Sequence, residues 1–204
     1  MFSLVLLTAP AAVPDEFRLL TELLALPSPP HRLHLRKPDW SAGQVETLIQ
    51  ALPAQHRHRL VLHGHPKLVR RYALGGLHLT ARARATWHQP LLPAPSLSTS
   101  FHSLAEVAQH RRHYDYVFLS PIFDSISKAG YASSFDLKAV QESLQKLASR
   151  PGYSPQVLAL GGITAENLPL VRQAGFAGAA VLGAVWGSAN PISAFQKVAL
   201  VSSR

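Results

Sequence analysis

The chain has 204 residues, a mass of 22.2 kDa and 47% hydrophobic residues, which is enough for one substantial core and short for two. Cysteine is absent, which excludes disulfides, thiolate metal sites and cysteine nucleophiles. The net charge of +9 favours an anionic partner, but the excess is dispersed in short clusters such as HRHR (56–59) and HRRH (110–113), without a basic stripe carrying aromatics, so nucleic acid is not the expected partner.

In chain order, short β-like runs alternate with helical patterns. FSLVLLT (2–8) precedes PDEFRLLTELLAL, RLHLRK (32–37) precedes SAGQVETLIQAL, and RLVLHG (59–64) precedes PKLVRRYAL. GLHLT (76–80) is followed by RARATWHQPLLP, which reads as loop or a single turn because Arg and Pro punctuate it. APSLSTS (94–100) with SLAEVAQHRRH, YVFLSP (116–121) with FDLKAVQESLQKLA, QVLALGG (156–162) with AENLPLVRQAG, and GAAVLGA (178–184) with PISAFQKVAL complete eight units. No apolar run approaches the roughly 18 residues that cross a bilayer, and MFSLVLLTAP lacks a basic leader region, so a cytoplasmic, single-domain protein spanning 1–204 is expected.

Eight strands alternating with helices require parallel pairing with covered faces, and the count favours a compact (β/α)₈ TIM barrel over an open doubly wound sheet. In such a barrel the carboxyl ends of the strands share one mouth. The residues expected there are Arg36, Lys37, His63, His65, His78, Thr80, Ser98, Ser100, Ser120, Lys128 in the next loop, Gly161, Gly162 and Gly183. Period-two alternation puts His34 on the side of Arg36 and His78 on that of Thr80. The mouth is therefore cationic and hydroxyl-rich, with almost no carboxylate.

LALGGIT ends a strand in two glycines and TAEN begins a helix with Thr164 as the expected cap, so backbone amides there suit an anion, as does the turn at Gly183. The fork of Arg36 suits a multi-oxygen anion, and Lys128 beside the hinge residue Gly130 is placed to fold over it. His63 and His65 straddle Gly64 without a carboxylate or third ligand in the segment, so no metal site is expected from them. His34 and His78 read as satisfied polar plugs, and Asp115, at the start of the sixth strand, as structural.

Five segments carry a resemblance to the thiamine phosphate synthase and TenI superfamily: LHLRKPD (33–39), VLHGHPKLVRRYALGGLHLT (61–80), STSFHSLAEV (98–107), DYVFLSPIFDSISKAGY (115–131) and LALGGITAENLPLVRQAGFAGAAVLGAV (158–185). The resemblance implies a compact, usually dimeric barrel that couples a thiazole phosphate to an aminopyrimidine methyl diphosphate with Mg²⁺ assistance. It implies Arg36 and Ser100 on the diphosphate, Lys128 on the closing loop as catalytic residues, and Gly161, Gly162 and Gly183 as the thiazole phosphate cradle. His63 joins the catalytic candidates, and His34 and His78 the substrate-binding ones. The chain departs from the synthase pattern at Pro38, where a second basic residue is expected, and at His63–Gly64, where Asn-Asp is expected. TARARAT lacks the acid expected after the fourth strand, so Mg²⁺ ligands are not identifiable. TenI-like tautomerases place a histidine where this chain has Pro121. A synthase, a thiazole tautomerase and a noncatalytic thiazole phosphate or thiamine phosphate binding protein all stay open.

Overall fold

The computed structural model describes residues 2–86, 95–110, 112–124 and 135–203. Eight strands run β1 Ser3–Leu7, β2 Arg32–Leu35, β3 Leu60–His63, β4 Gly76–Leu79, β5 Leu97–Phe101, β6 Tyr116–Leu119, β7 Gln156–Leu160 and β8 Gly178–Val181. Each pairs in parallel with its sequence neighbours, and β8 returns to β1 through Ser3↔Gly178 and Leu6↔Val181, closing the barrel. The expected (β/α)₈ architecture is the one observed.

Helices α1 Glu16–Ala25, α2 Ala42–Ala51, α3 Pro66–Arg71, α4 Ala81–Thr86, α5 Leu104–Gln109, α6 Leu137–Ala148, α7 Leu168–Gln173, α8 Gly183–Trp186 and α9 Pro191–Ser202 alternate with the strands. α1 buries Leu20, Leu23 and Leu24, and α2 buries Val45, Leu48 and Ile49, the i, i+3, i+4 spacing that turns one stripe toward the sheet. Each buried leucine contributes about 1.5–3 kcal/mol. Ser41 starts α2 with a reciprocal cap, its Oγ accepting from the Gln44 N–H while the Gln44 side chain accepts from the Ser41 N–H.

Of the segment expected to be loop or a single turn, RARAT belongs to the short helix α4, and the remainder lies outside the described residues. Thr80 Oγ1 accepts the Ala83 N–H, and Arg84 donates to Thr99 Oγ1 and to the Ser100 carbonyl, so capping and tertiary bonds override weak local punctuation. Thr80 therefore serves α4 as a cap.

Alternation along the strands builds two cores. Leu4, Leu6, Leu33, Leu35, Leu60 and Leu62 face the helices, whereas Val5, Leu7, Tyr116, Phe118, Leu158 and Ala180 form a separate cluster inside the barrel. That inner cluster comes from β1, β6, β7 and β8. On β2 to β5 the inward positions other than Val61 and Gly76 are instead polar, with Arg32, His34, His63, His78, Ser98 and Ser100 joined by hydrogen bonds or ring contacts. Asp115, at the amino end of β6, accepts the Leu97 N–H at 2.7 Å, the structural role expected of it.

Candidate functional site

Parallel closure brings all eight strand carboxyl ends to one mouth, so Arg36, His63, Ser100, Gly161, Gly162 and Gly183 stand at the same end of the molecule. Arg36 follows β2 and its backbone is locked to β1: its N–H donates to Thr8 Oγ1 at 2.9 Å, and Thr8 Oγ1 donates to the Arg36 carbonyl at 3.2 Å. The half-buried guanidinium has no acceptor among the described residues. A fork of N–H groups held at a mouth without a carboxylate partner suits an external anion.

Lys37 does not belong to the mouth. Its Nζ donates to Glu16 Oε1 and Oε2 at 2.6 and 2.7 Å and to the Ala11 carbonyl at 2.8 Å, and lies 4.8 Å from the Trp40 ring centroid. Strand alternation turns it opposite to Arg36, into the packing between the barrel and α1. Lys128 and Gly130 lie outside the described residues.

Beneath Arg36 sits a connected group of imidazoles. His34 Nδ1 is 3.0 Å from His63 Nε2, His34 Nε2 is 2.6 Å from the Tyr116 hydroxyl, and the rings of His63 and His78 stack at 4.1 Å. His78 is bracketed from β5, with Nδ1 2.9 Å from Ser98 Oγ and Nε2 3.2 Å from Ser100 Oγ. His34 and His78 are buried and His63 is half-buried. His63 is partnered by His34 and His78 rather than by His65, which starts α3 with left-handed backbone. The plug reading of His34 and His78 is the observed arrangement.

Burial holds all three imidazoles below their ordinary range. His34 lies well below, from desolvation and then the charges of His78 and Arg32, and His63 lies well below, from desolvation and then His78, His34 and Arg36. His78 is lowered to about 3 by desolvation, Arg36 and Arg84. Desolvation pushes the Tyr116 hydroxyl up to about 12, so it stays protonated as a hydrogen-bond partner of His34. The floor is therefore neutral at physiological pH, and the positive charge is carried by arginines. Tyr116 was not among the sequence candidates. The available signal was an inward tyrosine two residues before Phe118, whose hydroxyl requires a partner once buried.

The glycines that follow β7 have a packing reason of their own. Gly161 and Gly162 have φ of +96° and +64°, and the chain after β6 crosses them closely: Ile122 N–H donates to the Leu160 carbonyl at 2.9 Å and Phe123 N–H to the Gly161 carbonyl at 3.1 Å. A Cβ on Gly162 would lie 2.3 Å from the Asp124 carbonyl oxygen. Gly162→Ala is therefore expected to lose at least about 2 kcal/mol from left-handed strain and this clash, read as a lowered urea midpoint. Thr164 caps the turn ahead of α7 rather than its first residue, exchanging bonds with Asn167, whose side chain also donates to the Gly162 carbonyl. Gly183 opens α8, and Trp186 of that helix donates Nε1–H to the Leu7 carbonyl, tying this side of the mouth to β1.

Among the described residues, the group of three or more ligating side chains is made of His34, His63 and His78. That donor set is nitrogen without carboxylate. It does not fit Mg²⁺, which prefers octahedral oxygen ligands. No helix among the described residues is long and apolar enough to cross a membrane.

Comparisons with known proteins agree with this fold. A crystal structure of thiamine phosphate pyrophosphorylase from Bacteroides thetaiotaomicron is 30% identical with a TM-score of 0.80, over 99% of this chain and 96% of that one. A thiamine phosphate pyrophosphorylase from Pyrococcus furiosus shares the fold at a TM-score of 0.76 and 17% identity, over 99% and 96% of the two chains. The thiamine-phosphate synthase of Parasynechococcus marenigrum (strain WH8102) is 34% identical over 113 residues, 55% of this chain. The matched stretch spans 30% of that relative and 47% of the one from Desulfitobacterium hafniense (strain DSM 10664 / DCB-2). Because the family model described as thiamine monophosphate synthase matches residues 5–185, nearly the whole barrel, the chain belongs to the thiamine monophosphate synthase family.

Proposed function

We propose that this chain is a thiamine phosphate synthase-like transferase, joining a thiazole phosphate to an aminopyrimidine methyl diphosphate and releasing pyrophosphate. The observation that carries the reading is Arg36: a guanidinium without an acceptor among the described residues, locked by Thr8 at the mouth of a barrel whose family is that of thiamine monophosphate synthase. In this reading the arginine fork binds the diphosphate and stabilises the charge that grows on it as the C–O bond to the pyrimidine methylene breaks. The thiazole nitrogen then forms the new C–N bond to that methylene. Ser100 donates to the same diphosphate, at the cost of its contact with His78, and Lys128 is assigned to that group as well. Gly161, Gly162 and Gly183 lie beside the thiazole phosphate.

Mg²⁺ has no fitting ligand set among the described residues, so no step is assigned to it, and the charge on the leaving group falls to cationic side chains. The test is formation of thiamine phosphate from both substrates, with and without chelator. Arg36→Ala is expected to lower kcat/KM at least about 100-fold, and Arg36→Lys to recover only part of it, since one ammonium cannot make two parallel bonds. Absence of product at any enzyme concentration sinks the reading. Substrate binding by calorimetry without turnover would assign a binding protein instead.

One observation favours a second reading, a metal-independent thiazole tautomerase. His63, half-buried at the mouth, contacts His34 and through it Tyr116, a chain able to move a proton despite Pro121. Proton exchange into the thiazole, unaffected by chelator, selects it. The same family reading carries a cytoplasmic homodimer, which light scattering of the purified protein tests for its oligomeric part.

A further inference from the structure

From the three histidines under the mouth we infer a second property, independent of the transferase reading: His34, His63 and His78 form a three-nitrogen site for a divalent transition-metal ion of the zinc class, with its fourth position toward the mouth. The three come from the adjacent strands β2, β3 and β4, and one ring nitrogen of each lies within 4.8 Å of the others. A tetrahedral ion with bonds of about 2.0–2.1 Å needs ligand atoms about 3.3 Å apart. His34 Nδ1 and His63 Nε2, at 3.0 Å, already come close to that spacing, whereas the ring of His78, stacked on that of His63 at 4.1 Å, turns out of the stack to aim its nitrogen at the same ion.

The surroundings are those a ligating histidine needs. The Tyr116 hydroxyl at His34 Nε2 and Ser98 Oγ at His78 Nδ1 can each accept an N–H from the outer nitrogen, which leaves the inner lone pair for a metal and fixes the ring. The imidazoles are neutral, the form that ligates, and when an ion binds, the proton held between His34 and His63 moves to His63 Nδ1, so that both facing nitrogens present lone pairs. Three nitrogens without a carboxylate select Zn²⁺, Co²⁺, Ni²⁺ or Cu²⁺ over Mg²⁺, Ca²⁺ or Mn²⁺. Arg32, Arg36 and Arg84 add positive potential at these rings, which opposes a bare dication. The fourth ligand is therefore an anionic oxygen, hydroxide or phosphoryl, reaching the ion from the side of half-buried His63.

The experiment uses the full chain stripped with chelator, without either substrate. Zn²⁺ is titrated in competition with a chromophoric chelator, and Co²⁺ is followed by its visible absorption. The expected result is one ion per chain, intense tetrahedral Co²⁺ bands, and no displacement by excess Mg²⁺. His63→Ala, checked for folding by circular dichroism, is expected to weaken Zn²⁺ binding at least 100-fold and Tyr116→Phe about 10-fold. His65→Ala, at a half-buried histidine outside the cluster, serves as the control and is expected to bind like wild type. Weak octahedral Co²⁺ absorption in the wild-type protein overturns the inference, as does unchanged affinity in folded His63→Ala. If His63→Ala unfolds, the wild-type Co²⁺ spectrum decides alone. Thiamine phosphate formation does not enter this readout, so failure of either reading leaves the other standing.

Discussion

Glu16→Gln is expected to cost about 3–5 kcal/mol, lowering Tm by roughly 10 °C or more, although neither Glu16 nor its partner Lys37 touches the mouth. The ammonium of Lys37 has a side chain 1% exposed and faces both oxygens of a carboxylate that is 6% exposed. Removing the negative charge leaves a buried cation with the Ala11 carbonyl, a neutral amide and the face of Trp40, which do not replace lost hydration. The pair itself need not be net stabilising. Glu16→Met with Lys37→Met, apolar and close in volume, is therefore expected within about 1 kcal/mol of wild type or above it. Thermal unfolding of the three proteins checks this, and a Glu16→Gln loss under about 1 kcal/mol would show that water reaches Lys37.

Acidification is expected to destabilise the metal-free protein well before carboxylates titrate. Above pH 6.5 the floor histidines are neutral whether the chain is folded or unfolded. Below it the unfolded chain takes up protons that the folded barrel refuses, down to about pH 3 at His78, so stability rises with pH across that window and is lost as pH falls. From pH 6.5 to 5, His78 alone accounts for about 2 kcal/mol, or about 4–8 °C of Tm, with His34 and His63 acting in the same direction. Tm measured against pH in chelator should slope downward on the acid side, and the slope should flatten in His78→Gln. A flat wild-type profile would mean that the folded barrel accepts the protons.

The barrel and its polar mouth were legible in the residues themselves. Strand-length apolar runs separated by amphipathic stretches admit few closed parallel arrangements, and closure carries every strand end to one rim, so Arg36, His63, Ser100, Gly161, Gly162 and Gly183 could be grouped before any coordinates. Lys37 could not be assigned this way, because its place depends on α1 folding back to bring Glu16 against it, a contact across 21 positions in sequence. His63 with His65 was the visible pair by spacing, yet the pair that forms is His63 with His34, 29 positions away. Tyr116 and the two serines of β5 enter that network only through barrel closure. Period and composition act over a few residues and determine which elements form and which faces are apolar. Which polar groups meet inside depends on strand order and register, and only the closed barrel decides that.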